Sequence, residues 1–394
     1  MFDSKNNSTR IDSRFAANFG ILVLCLSFLI GSTSYAYTIV TKGGGGYQTG
    51  DWLINYHGGF VRRGFFGSFL MGVFHDSRIE IWSLYLIQTS LYFIVFGFFI
   101  LHLYRNKSNW FLTILICSPA GIAFSGWDIK AFGRKEVIGY VVLILLMFRI
   151  SRRKNAIISL ILLLVTFLVY VIGIFSWEPL VLFVPSVILL VAKGFNDSYS
   201  QGKRYFVYFI FISTSALGLF LSMKNRGTPS QVIMICASIR NAGLDGSELC
   251  SGAVDAIGWT SEFTFEKVQS SFPLYFWYLP LFLVALFPIF YAKVLVTSKK
   301  IAVVSFLFLL PLYFVVNDYG RWFSMYFISL LIVLIATNRL PSDSSIFFSS
   351  PRFGIPYLTT WGLPHFADPN SAFPIVGAIA TPLRILFHFF KATS

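Results

Sequence analysis

The chain has 394 residues, of which 56% are hydrophobic and only 12% charged, with 45 phenylalanines and a formal net charge of +14. A soluble domain carries about twice that share of charge, so the composition excludes a water-soluble enzyme and reads as a polytopic membrane protein. Spanning elements must be helices or a closed barrel. Long unbroken apolar runs exclude the barrel, whose strands alternate, and leave an all-α transmembrane bundle as the expected fold.

About ten spans are predicted, at residues 17–40, 79–103, 109–126, 136–150, 156–175, 179–193, 205–222, 273–292, 301–316 and 322–338. The first is read as a span rather than a cleaved signal, because it anchors the first outer loop and keeps the count even. The fourth, sixth and ninth are short, which predicts tilt or broken helices. The basic segments "LYRNKSN", "RISRRKN", "KGFNDSYSQGKRY" and "KVLVTSKK" alternate along the chain, so they are assigned to the cytoplasm together with both termini. Of the 31 basic and 17 acidic residues, 19 and 5 then fall inside, leaving 12 and 12 outside. The whole net charge sits on the inner face, where it serves topology and attraction to anionic lipid. No basic soluble domain exists to bind nucleic acid.

The bundle is expected to occupy residues 1–338, with outer loops at 41–78 and 223–272. Residues 339–394 form a Pro- and Ser-rich cytoplasmic or interfacial tail, whose apolar stretch 371–390 is read as lying on the inner surface. Cys236 and Cys250 share the long outer loop, and a disulfide between them is expected in an oxidising compartment. Cys25 and Cys117 lie in spans as small apolar residues. No Cys/His spacing suggests zinc, no cofactor is called for, and a divalent metal is left open. No internal repeat is visible.

Four short outer segments collect the chemistry. "GDWLINYHGGFVRRG", "SGWDIKAFGRKE", "FSWEP" and "NDYGRW" bring Asp51, Arg62, Arg63, Asp128, Arg134, Lys135, Glu136, Glu178, Asp318 and Arg321 to one depth. Ionisable groups near the bilayer are costly unless paired or facing water, so a charged cavity opening outward is expected. Arginine beside glycine recurs as "RRG", "GRK" and "GRW", and a guanidinium fork next to a compact backbone suits a phosphate. The carboxylates offer general-base chemistry. Trp52, Tyr56, Phe60, Trp127, Trp177, Tyr319 and Trp322 offer rings for stacking on sugars or for anchoring at the interface.

After the first span, the glycine stretch "TKGGGGYQTG" leads into "DWLINYHGGF" and "RRGFFGSFLMGVF", read as two short amphipathic pieces along the membrane. This layout resembles the C-type (GT-C) glycosyltransferases, multispan enzymes that take a sugar from a polyprenyl-phosphate carrier. The resemblance covers about the first 200 residues and is one of layout. It implies that Asp51 is the catalytic base, with Glu178 or Asp128 as alternatives. Arg62, Arg63, Arg134, Lys135 and Arg321, with Asp318, Trp52 and Tyr56, would then bind phosphate and sugar. The chain also resembles the O-antigen polymerases, aromatic-rich proteins with a long outer loop carrying arginine, here Arg226 and Arg240. Both resemblances imply sugar transfer on the periplasmic face of a bacterial inner membrane during lipopolysaccharide assembly. The implied partners are a polyprenyl-linked sugar, the lipid bilayer and other polysaccharide-assembly proteins. The alternative is a lipid-linked-sugar flippase or other transporter, against which stands the scarcity of mid-span charges.

Overall fold

A computed structural model describes residues 3–74, 77–106, 110–195, 201–271, 276, 278–291, 294–315, 317–337 and 350–365. The described residues are helical and contain no strand. The chain runs through α1 (Asp3–Lys42), α2 (Gly50–Leu53), α3 (Gly64–Val73), α4 (Ser77–Arg105), α5 (Trp110–Cys117) and α6 (Phe124–Trp127). It continues through α7 (Glu136–Ser151), α8 (Ala156–Ser176), α9 (Val184–Gly194), α10 (Gln201–Lys224), α11 (Pro229–Asn241) and α12 (Gly246–Leu249). The last third holds α13 (Ser261–Ser271), α14 (Tyr278–Tyr291), α15 (Val294–Leu309), α16 (Leu312–Val315), α17 (Tyr319–Ala336) and α18 (Pro351–Thr359).

Five helices are long and apolar enough to cross a membrane: α1 from Arg14, α4 from Glu80, α8, α10 and α17. They coincide with five of the ten expected spans. The other five expected spans hold helices below that length. The third is broken: α5 ends at Cys117, before Ser118-Pro119, where proline removes a donor and disfavours helix in the residue before it. The chain then turns and resumes as α6. Gly126 of α6 lies flush against the backbone of Ser27, where any Cβ would collide, so α6 seats directly on α1.

Helix starts are written locally. Asn155 caps α8 by accepting from the Ile158 N–H (3.1 Å), and Thr228 and Gln231 form a capping box ahead of α11, with Pro229 in its first turn. The central post is α17, buried continuously from Tyr319 to Ile335. A helix apolar all round belongs inside a bundle, and α17 packs on α7, α9 and α15. By contrast α8 and α10 expose rows of Leu, Ile and Phe, including Leu160, Leu164, Leu168, Phe209 and Phe220.

The expected boundary at residue 338 does not hold. Residues 350–365 pack through the bundle instead of lying outside it. Gly354 of α18 meets the Trp110 ring at the start of α5, Tyr357 Oη donates to the carbonyls of Val284 and Ala285 (3.2 and 3.3 Å), and His365 reaches Asp128. The aromatic and small residues of this stretch fill the space between α5, α14 and α17. The remainder of the expected tail, including 371–390, lies outside the described residues.

Candidate functional site

The first outer segment is pinned to the bundle by buried polar groups. Tyr35 Oη donates to Gln88 Oε1 (2.6 Å) and lies 3.0 Å from Thr49 Oγ1. Gln88 Nε2 donates to the carbonyls of Gln48 (2.9 Å) and Gly133 (2.7 Å), and Trp52 Nε1 donates to Gly133 as well (2.9 Å). Satisfied buried networks of this kind fix one geometry. They set α2 against the 132–135 turn, which brings Asp51 beside Lys135.

From above, the long outer loop clasps the same segment. Asn225 accepts from the Arg62 N–H (3.0 Å), Ala256 accepts from Arg62 Nη2 (3.3 Å), and Gly46 accepts from the Ala253 N–H (3.2 Å). Asn55 Nδ2 donates to Ser238 Oγ (3.0 Å). Gly50 presses on the Leu249 carbonyl, a contact that leaves no room for a side chain. A disulfide joins Cys236 of α11 to Cys250, with Cα atoms 6.0 Å apart.

Beneath this lid lies the first half of a charged cluster. Arg63 adopts a left-handed backbone, φ 67°, immediately before α3. That conformation is uncommon outside glycine, and it turns the guanidinium inward. Arg63 Nε and Nη2 each donate to Glu178 at 2.7 Å, a bidentate pair. Arg62 Nη1 stands 3.6 Å from the same carboxylate. Asp51 is 3% exposed, and its Oδ1 lies 3.6 Å from both Arg63 Nη1 and Lys135 Nζ. Lys135, fully buried, donates through Nζ to the carbonyls of Asp51 (2.6 Å) and Ser176 (2.7 Å). Burial works to raise the Glu178 carboxyl, but Arg63 and then Arg62 overcome it and hold it at about 2. Burial also works against the Arg63 charge, which Glu178 and Asp51 outweigh, so the guanidinium is raised. For Lys135 burial wins over the neighbouring Asp51, and the amine is pushed down to about 8.

The second half centres on α17. Arg321 donates to both Glu136 oxygens (3.0 and 2.7 Å) and to Asp318 Oδ2 (3.2 Å), with its guanidinium carbon 5.7 Å from the Trp177 ring and 5.1 Å from Trp322. A cavity with room for about one water sits against this pair, lined in part by Tyr92, Tyr140, Ser324, Glu136 and Arg321. Asp128 accepts the Lys130 N–H on Oδ1 (3.1 Å), and on Oδ2 the His365 N–H (2.7 Å) and imidazole Nδ1 (2.5 Å). Burial opposes the Asp128 charge, but His365 and Arg134 hold its carboxyl below the usual range. Arg134 donates Nε to the Lys130 carbonyl (3.0 Å) and lies over the Tyr47 ring at 5.1 Å.

The ten charged residues expected at one depth are thus drawn into two adjoining groups. They face one another in ion pairs rather than lining the open cavity that the sequence suggests. Trp52 is buried in the network, edge-on to Phe66 at 4.9 Å, and presents no free face. Tyr56 stacks on Phe60 at 5.0 Å nearer the surface. Arg226 and Arg240 lie on the lid, donating to Ser261 Oγ (2.9 Å) and the Cys236 carbonyl (3.3 Å). His365 is the residue that sequence reading misses, because its segment reads as a tail on the opposite face. Among the described residues no three His, Cys, Asp or Glu side chains gather as a metal-ligand set. No protein-family model, curated protein or solved structure matches the chain.

Proposed function

We propose that this protein is a ten-span inner-membrane glycosyltransferase that works on the outer face, taking sugar from a polyprenyl-phosphate carrier for a surface polysaccharide. The proposal rests on one observation above the others. Of the three carboxylates that could serve as base, Glu178 is bound on both oxygens by Arg63 and Asp128 on both by the Lys130 and His365 groups. Asp51 alone among the three has an oxygen, Oδ1, without a hydrogen-bond donor among the described residues. A buried carboxylate oxygen left open is costly for folding and useful for taking a proton.

In the proposed reaction an acceptor hydroxyl attacks the anomeric carbon. The bond from that carbon to the carrier phosphate oxygen breaks, its electron pair stays with the phosphate, and the hydroxyl proton passes to Asp51. Cations beside the leaving oxygen stabilise the charge that develops there. Asp51→Asn tests the reading, because it keeps the size while removing the base. It should leave the protein in the membrane at normal level and abolish glycan transfer. Product of normal length at normal rate from this variant would end the assignment.

A further inference from the structure

The cluster holds five cations, Arg62, Arg63, Arg134, Lys135 and Arg321, and five carboxylates, Asp51, Asp128, Glu136, Glu178 and Asp318. Each carboxylate has a charged or imidazole partner within 4.0 Å, and so has each cation except one. Among the described residues Arg134 has no carboxylate within that distance, and its two terminal nitrogens make no hydrogen bond. It is nevertheless only 4% exposed. A guanidinium taken out of water without an anion is unfavourable. Burial accordingly pulls Arg134 below its usual range, with Arg321 adding to the effect, whereas the paired Arg63 is raised.

Around Arg134 the geometry is directional. Nε is spent on the Lys130 carbonyl, one ring face is covered by Tyr47, and the terminal nitrogens remain as an end-on fork. Tyr47 is 43% exposed and connects this buried fork to the surface. Two oxygens of a phosphate match such a fork.

The charge balance limits what kind of phosphate fits. Asp318, Glu136 and Asp51 all act on Arg134 from within electrostatic reach. One guanidinium without a partner among formally balanced neighbours accommodates a single negative charge. A diphosphate brings two or three, and its second phosphate would meet those carboxylates with no uncommitted cation to offset them. Resting on the glycosyl-transfer reading, we infer that Arg134 is the anion subsite for the carrier and that it selects a singly charged phosphodiester over a diphosphate. Arg62 and Arg63, the pair that the sequence puts forward as a clamp, are held by Glu178 and serve to fix the frame around Asp51.

The test uses the full chain in phosphatidylcholine nanodiscs, with and without Mg2+, and three probes: farnesyl methyl phosphate, farnesyl diphosphate and inorganic phosphate. The diester should bind the wild type without Mg2+. It should bind about tenfold or more weakly to Arg134→Gln, with Arg134→Lys in between and the exposed Arg152→Gln unchanged. The diphosphate should bind no more tightly than the diester, and inorganic phosphate far more weakly. Equal diester binding by wild type and Arg134→Lys overturns the subsite even where Arg134→Gln fails to fold. Tighter binding of the diphosphate, in either metal condition, overturns the selectivity, and inorganic phosphate binding as well as the diester overturns the lipid-linked source. Diester binding through Arg134 without any sugar transfer would remove the glycosyltransferase reading and leave the subsite standing. Transfer that is lost in Asp51→Asn but keeps unaltered diester binding in Arg134→Lys would do the reverse.

Discussion

Replacing Glu178 by Gln isolates the energetic centre of the cluster. Glu178 is held at about 2 against an ordinary value of 4.5. At 1.36 kcal/mol per pH unit, that difference corresponds to about 3 kcal/mol of stabilisation for the charged carboxylate. The group is only 12% exposed on its side chain, so solvent screening removes little of this. Because the carboxyl is depressed in the fold, the stabilisation is present above pH 4.5 and is lost as pH falls from there through about 2. At neutral pH Glu178→Gln deletes it and strands two arginines, which is how breaking a buried pair costs more than the pair contributes. The expected result is a loss on the order of 3 kcal/mol in denaturant or detergent unfolding of the purified protein. Pairing the change with Arg63→Gln should recover part of that loss, since the stranded charge is then gone. Equal stability of wild type and Glu178→Gln at pH 7, with acid sensitivity unchanged, would refute the account of Arg63 as a residue fixed by Glu178.

Reporter fusions at Asn155 and Asn225 should place the first inside and the second outside, since "SRRKN" carries three positive charges in five residues; phosphatase activity at Asn155 would contradict the orientation. Thiol reagents should not label Cys236 or Cys250 in oxidised membranes, and Cys236→Ser should lower stability by about 3 kcal/mol, the loop-closure value for a sequence separation of 14 residues. His365→Ala should weaken the fold by about 1–2 kcal/mol, and adding Asp128→Asn should cost little more, because the two share one contact; full additivity would mean that they act separately. Lys135 is at about 8 in the fold against 10.5 in an unfolded chain, so its neutral form is favoured there and stability gained from it falls as pH drops from 10.5 to 8. The stability difference between wild type and Lys135→Gln should therefore shift by up to about 3 kcal/mol in favour of wild type across that range, measured as unfolding midpoints; a flat difference would place the amine in contact with water.

Composition alone reveals the helical class, because apolar content fixes the backbone chemistry in lipid. The charged residues that meet were also visible as short acidic and basic patches at the ends of apolar runs. Two things were not legible. Pairing is one: nothing in "VRRG" says that Arg63 turns inward through a left-handed backbone while Arg62 reaches the lid, since that depends on the distant Glu178 and Asn225. The other is the return of residues 350–365. Rich in Pro, Gly and aromatics, that segment has no helical period long enough to be read as a span. It is held by contacts such as Pro364 against Gly320 and His365 against Asp128, which are separated widely in sequence. Length misled in the other direction as well: apolar runs at 109–126 and 179–193 suggested spans, yet Pro119 and the Glu178–Phe183 turn break or shorten them.

Stability alone is a poor reason for such a cluster. Apolar side chains of similar volume in place of a buried ion pair are often neutral or stabilising, and this bundle has no shortage of phenylalanine. The left-handed Arg63 adds about 1–3 kcal/mol of strain. An open Asp51 oxygen and the unpartnered terminal nitrogens of Arg134 add further cost, since each is a buried polar group without a donor or acceptor among the described residues. If the network existed only to hold the bundle together, strain and open valences should be its least expected features. They are concentrated in Asp51, Arg63 and Arg134, where a base, a fixed frame and an anion subsite are required by the proposed transfer. An Asp51→Leu, Arg63→Met, Lys135→Met, Glu178→Leu variant separates the two explanations. If structure is the purpose, it should be clearly less stable than wild type. If function is the purpose, it should fold with equal or greater stability and carry out no transfer.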